Sequence, residues 1–119
     1  MGQKNKPTVS LPTLEEMLAY RPVRGDFKWT TDSDGLVHIT VPKFTSSLGI
    51  SFCKLIKKEN KFSADMDKIG SLVWQHCDGK HSVKEIFEIL EQEFPKQKTL
   101  DHRLFLFLQQ MKALNYIIF

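Results

Sequence analysis

With 119 residues, 41% hydrophobic and 26% charged, the chain has the make-up of one soluble domain that can bury a core without disulfide or metal staples. Its formal net charge of +3, with both signs spread along the chain, argues against the dense basic footprint of a dedicated nucleic-acid binder. Two cysteines cannot build a disulfide framework, no apolar run approaches the ~20 residues of a membrane span, and MGQKNKPTVS lacks a signal-peptide core, so the expected compartment is a reducing cytoplasm.

Met1 to Pro12 is polar and proline-containing, with nothing to order it by itself. Thr13-Leu14-Glu15-Glu16 is a capping-box pattern that predicts a short helix with Leu14, Met17 and Leu18 on one face, ended by Arg21-Pro22. Residues 1–24 therefore read as a tail plus a short helix, and 25–119 as the main domain.

Phe27 to Thr31 alternates apolar with polar residues, as do Val37, Ile39 and Val41, and the turn-rich Asp32-Ser33-Asp34-Gly35 between them predicts a β-hairpin. Pro42 stops the second strand because it has no amide to donate. Residues 43–60 read as an insert. Leu48, Phe52, Leu55 and Ile56 fit one helical face, weakened by Ser46, Ser47 and Gly49. Lys54, Lys57, Lys58 and Lys61 make this the most basic stretch, a pattern that marks a solvated face more often than a membrane or phosphate contact. Lys61 to Ala64, with Phe62 inward, stands where a third strand would precede the central helix.

That helix begins near Ile69, and Ile69, Leu72, Val73, His76 and Cys77 define its expected buried stripe. Asp65 and Asp67 stand at its start, where carboxylates favour the helix dipole. Gly79 is the candidate left-handed residue just beyond its end. Ser82 and Glu85 form a second capping box, and Val83, Ile86, Phe87, Leu90 and Phe94 the stripe of the helix that follows. Two helices joined by so short a turn make a helix-turn-helix corner. A last helix from Leu100 has Leu104, Phe107, Leu108, Met111 and Leu114 on its core face, with Asn115 as a left-handed cap. Phe105 and Leu106 do not fit that stripe and must pack elsewhere or meet a partner. Tyr116 to Phe119 is a β-prone tail, read as a final strand returning to the sheet.

Ile69-Gly70, Val73-Trp74, Asp78-Gly79-Lys80, Ser82-Val83 and Glu85-Ile86 together resemble the signature of the PqqD family. The resemblance extends over Phe27 to Phe119 and is strongest in this core motif. The chain departs from the pattern at His81, at Asn115 where glycine often closes the last helix, and in the insert after Val41. The resemblance implies an α+β fold of winged helix-turn-helix type, a three-stranded antiparallel sheet followed by three helices. It also implies a non-catalytic role without a cofactor. In that family the domain holds the leader of a ribosomally made precursor peptide as an added strand beside the third strand and over the third helix. It then delivers the peptide to a modifying enzyme, often of the radical S-adenosylmethionine type. Carried onto this chain, Lys61, Phe62, Ser63 and Ala64 supply the strand edge. Arg103, Leu106 and Gln110, at i, i+3 and i+7, supply the helix flank.

Two readings from other classes stand beside it. A DNA-binding winged helix could use Arg103, Gln109, Gln110 and Lys112, but Asp101 and the acidic series Glu85, Glu88, Glu91 and Glu93 would repel phosphates. A structural homodimer would bury Phe105 and Leu106 against a second copy. Catalysis is not expected. Cys53, His76, Cys77, His81 and His102 show no metal-ligand spacing, nothing activates either thiol, and there is no phosphate-binding glycine loop.

Overall fold

The computed structural model describes residues 12–43, 46–57 and 59–119, so the reading of the N-terminal tail through residue 11, and Lys58 in the basic stretch, lie outside the described residues. The elements are α1 (Leu14–Ala19), β1 (Val23–Arg24), β2 (Lys28–Thr31), β3 (Val37–Val41), α2 (Ser47–Leu55), β4 (Phe62–Asp65), α3 (Lys68–His76), α4 (Val83–Glu93), α5 (Leu100–Ala113) and β5 (Ile117–Ile118). The fold is α+β: β2, β3 and β4 form an antiparallel sheet in that order, and α3, α4 and α5 follow it.

The hairpin forms because its turn satisfies itself. The Asp32 carboxylate accepts from the amides of Asp34 at 2.9 Å and Leu36 at 3.0 Å, while Gly35, at φ +80°, donates to the Asp32 carbonyl. Val37, Ile39 and Val41 of β3 then point inward and are buried. The core lies between this face and the helices, with α3 packed against β3, α4 and α5.

Coverage from several sides widens the buried arc of α3. Ile69, Gly70, Ser71, Val73 and Trp74 are buried, whereas Leu72 and His76, expected on the stripe, are only half-buried. The end of α3 also differs from expectation. The helix stops at His76 with Cys77 as its cap, so Gly79 is left-handed as expected but stands two residues beyond the cap, not next to it. Its last carbonyls are satisfied from β1: the Arg24 guanidinium donates to Trp74 O at 3.1 Å and Gln75 O at 2.9 Å, and the Arg24 amide to Cys77 O at 2.8 Å. Gly79, at φ +78°, instead shapes the turn into α4, where a Cβ would lie 3.0 Å from Val23 Cγ2.

Both capping boxes form as expected, Thr13 with Glu16 on α1 and Ser82 with Glu85 on α4. The helix α1 lies along α4 with Leu18 against the core, although Leu14 stays exposed. Leu100, Leu104 and Leu108 of α5 are buried, and Asn115 takes the left-handed conformation at φ +62°. Leu114 was expected on the core face but is exposed, because the helix ends at Ala113 and the chain turns away there.

The C-terminal strand does not return to the three-stranded sheet. Ile117 and Ile118 pair with Arg24 and Val23, and the Gly25 amide donates to Tyr116 O at 2.8 Å. Because β1 is already fixed to the end of α3, it offers an edge beside the buried Tyr116 and Ile117. Within the stretch read as an insert, Ser47–Leu55 forms α2, with Ser46 Oγ capping the Gly49 amide, but its apolar face is turned outward. Of α2 only Cys53 is buried, since α3 and its neighbours already cover the inner face of the sheet.

Candidate functional site

The strand β4 pairs with β3 alone among the described residues, through Val41↔Phe62, Thr40↔Ser63, Ile39↔Ala64 and His38↔Asp65. Its ladder parity follows from the flanking bonds: the Lys43 amide donates to Asn60 O at 3.3 Å and the Met66 amide to Val37 O at 2.9 Å. Even-numbered residues therefore direct their backbone groups at β3, and Lys61 and Ser63 direct theirs away from it. Side chains alternate independently, so Phe62 and Ala64 share the inner face with Val41 and Ile39. Ala64 is half-buried there, but Phe62, at the open margin, remains 45% exposed. Lys61, Phe62 and Ser63 also line a shallow depression with Thr40 and Glu59.

Two residues beyond β4, Asp67 begins the second half of the site. Its Oδ1 accepts the Gly70 amide at 2.7 Å and caps α3, and its Oδ2 accepts from the Arg103 guanidinium of α5 at 3.1 Å. The pair is largely solvated, so it positions Arg103 more than it stabilises the fold. A cleft of about 170 Å³ opens between α3 and α5, lined by Asp67, Ile69, Gly70, Arg103, Leu106, Phe107 and Gln110. Arg103, Leu106 and Gln110, singled out from sequence, thus share one wall. The sequence reading missed Asp67, Ile69, Gly70 and Phe107 as parts of this cleft. Gly70 carried the available signal, because a Cβ there would stand 2.9 Å from Phe107 Cε2; the bare backbone lets the ring lie against α3. The neighbours Phe105 and Leu106 diverge: Phe105 faces α1 and α4, and Leu106 sits at the lip of the α3–α5 cleft, 50% exposed.

A cluster of charged groups holds the outer face of the sheet. His38 bridges two carboxylates, with Nδ1 2.6 Å from Asp65 and Nε2 2.8 Å from Asp32, and Ser63 Oγ donates to Asp65 at 2.5 Å. The bonds to Asp65 and then Asp32 raise the His38 pKa above 6.5. Bonds from His38 and the Leu36 amide lower that of Asp32 below 3.8, and those from Ser63 and then His38 lower that of Asp65. A raised histidine contributes stability that is fully present below its unfolded value and is lost as pH climbs through its folded one; lowered carboxylates lose theirs as pH falls. The cluster therefore stabilises the fold fully between about pH 3.8 and 6.5. His38→Gln is expected to flatten the decline in melting temperature that the wild type shows above pH 6.5, a difference readable by thermal denaturation in a pH series.

Among the described residues, no group of three or more His, Cys, Asp or Glu side chains is placed to hold a metal ion. Burial pushes the Cys77 thiol up to about 12, away from nucleophilic use. His81 Nδ1 lies 2.9 Å from Asp78 Oδ2, and Asp78, which also accepts the Lys80 and His81 amides, is held well below the usual carboxylate range; the arrangement closes the turn between α3 and α4. No helix among the described residues is long and apolar enough to cross a membrane.

What fold and site define together is a small α+β domain in which β4, one of the two edge strands of the three-stranded sheet among the described residues, runs into a cleft between two helices. The chain belongs to the PqqD family: the model of that family, described as Coenzyme PQQ synthesis protein D (PqqD), matches residues 58–117, half of the chain. The match spans β4, α3, α4 and α5, the elements that build the site. No curated protein and no solved structure gives a significant match.

Proposed function

We propose that this protein is a non-catalytic peptide-binding adaptor, built on a winged helix-turn-helix plan, that holds a precursor peptide by strand addition and presents it to a modifying enzyme. The enzyme class suggested by the family is the radical S-adenosylmethionine type, and the setting a reducing cytoplasm. The observation that carries the reading is continuity: among the described residues β4 is unpaired on the side to which Lys61 and Ser63 direct their backbone groups, and it runs within two residues into the cleft walled by Arg103, Leu106 and Gln110. A peptide lying along Lys61, Phe62, Ser63 and Ala64 would complete the ladder, and alternate side chains would fall over Phe62 and into the cleft. Arg103 offers the peptide a cation, Gln110 an amide and Leu106 an apolar floor.

The backbone parity supplies a clean test. The Lys61 and Ser63 amides both point away from β3, so proline at either removes a donor from the open edge; at Ser63 it also removes the Oγ bond to Asp65, which makes Lys61→Pro the cleaner of the two variants. With a short ribosomal peptide recovered by pull-down from the native cells, Ser63→Pro or Lys61→Pro should weaken binding about tenfold, equivalent to one hydrogen bond of about 1.4 kcal/mol. Calorimetric titration measures this, and unchanged affinity in both variants would place the peptide elsewhere. Recovery of nucleic acid without any peptide would overturn the adaptor reading as a whole.

A further inference from the structure

The outer face of β4 differs from its inner face in what it offers a bound strand, and the pairing with β3 fixes which side chains share it. Val37, Ile39 and Val41 are buried inward, so His38 and Thr40 point outward, and their partners on β4, Asp65 and Ser63, point outward with them. The bond from the Lys43 amide to Asn60 O extends the same register past Phe62 and puts Lys61 on that face too. Lys61, Ser63 and Asp65 are also the residues whose backbone groups point away from β3. The open edge therefore presents a cation, a hydroxyl and an anion in one row, all three exposed.

Each end of the row keeps its sign. The Asp65 side chain is 64% exposed; His38 and Ser63 both bind its Oδ1, and among the described residues no hydrogen bond falls on Oδ2. Asp32, on the other side of His38, adds a second carboxylate, so this end stays negative whether or not His38 is protonated. Lys61 forms no ion pair among the described residues. Glu59 lines the shallow depression with Lys61, but it precedes Asn60, the last residue bonded to β3, so a strand confined to the ladder does not reach it.

From this row we infer the charge order of the bound peptide: a basic side chain followed, at the spacing of Lys61 and Asp65, by an acidic one four residues later. A strand that continues the antiparallel pairing of β2, β3 and β4 runs opposite to β4, so its earlier residue lies across from Asp65 and its later one across from Lys61. Directly opposite side chains share a face with about 5 Å between Cβ atoms, close enough for each pair of opposite charges to meet. Of the three residues between, the middle one lies beside Ser63 and the outer two fall on the inner face, across from Ala64 and Phe62, where apolar side chains fit. This charge order rests on the strand-addition reading and deepens it, because it names the class of peptide: basic, apolar, unrestricted, apolar, acidic.

The test is selection from a displayed library of random-sequence peptides on the full-length protein, followed by fluorescence anisotropy with the selected peptides made synthetically. Wild type should select the basic-to-acidic order. Lys61→Glu should turn the later position from acidic to basic, and Asp65→Asn should remove the preference at the earlier one. The best wild-type peptide should bind about tenfold more tightly than its twin with the two charges exchanged, about threefold for each pair, and the gap should narrow as salt screens these exposed groups. Circular dichroism verifies that both variants are folded, and a changed preference in Lys61→Glu cannot arise from unfolding. Selected peptides that lose affinity in Lys61→Pro but show no charge order, or show acidic before basic, would overturn the inference and leave strand addition standing. Failure to select any peptide sensitive to Lys61→Pro would overturn the strand-addition reading, and the charge order with it.

Discussion

Trp74→Ala is expected to remove about 3–5 kcal/mol of stability, the usual cost of deleting a buried large aromatic side chain. Domains of this size are stable by only about 5–15 kcal/mol, so the loss is a large fraction of the whole. Trp74 is fully buried and stands edge-on to Trp29, with ring centroids 6.3 Å apart. Arg24 lies over the Trp29 ring at 5.2 Å and donates to the Trp74 carbonyl, so the indole is the node at which sheet, β1 and α3 meet. Trp74 Nε1 has no hydrogen-bond partner among the described residues. Trp74→Phe should therefore cost less than the volume change alone suggests, because it removes a buried donor that the fold leaves unsatisfied. Urea denaturation of wild type and both variants gives the comparison. A Trp74→Phe loss as large as its share of the removed side-chain volume predicts, measured against the Trp74→Ala loss, would mean that packing alone accounts for the residue.

This node also shows why the sequence was readable in some places and opaque in others. The hairpin, both capping boxes and the left-handed Asn115 depend on neighbours within a few residues, and the structure has each of them. What escaped is non-local. The α3 stripe was read too narrowly because helical periodicity describes a helix covered on one side, whereas α3 is covered by β3, α4 and α5. The strand β1 has only two residues, too few for a periodic signal, so the sequence does not reveal it as the partner of β5. In the insert, the spacing of Leu48, Phe52 and Leu55 correctly indicates a helical face but cannot say that the face is turned outward.

The candidate site divides in the same way. Arg103, Leu106 and Gln110 fall on one side of a helix by spacing, so their shared wall was legible. The rest of the cleft is not legible: Asp67, Ile69 and Gly70 come from the start of α3, and Phe107, on the core stripe of α5 by periodicity, reaches the cleft only through the missing side chain of Gly70. Nor does sequence pattern reveal which β4 amides face outward; that requires the register with β3, fixed by Lys43 with Asn60 and Met66 with Val37. The misplaced final strand bears directly on function. Had Ile117 and Ile118 joined the open side of β4, they would have occupied the edge on which the proposed strand addition depends.

Leu106→Glu is the substitution expected to act most strongly on peptide binding without disturbing the fold. Leu106 is half-exposed in the free protein, so a glutamate there can remain hydrated and the core keeps Leu104 and Leu108. A peptide covering the α3–α5 cleft would strip that water from the carboxylate, and Arg103, already engaged with Asp67, offers it only partial compensation. Loss of the apolar contact and desolvation of the charge together should cost about 2–3 kcal/mol, or roughly thirty- to 140-fold in affinity. A titration beside Leu106→Ala separates the two contributions: alanine loses only the contact, glutamate loses the contact and adds the charge. If the glutamate variant binds as tightly as wild type while Ser63→Pro is impaired, the peptide uses the β4 edge but does not cross to α5. The cleft would then have to serve another part of the complex.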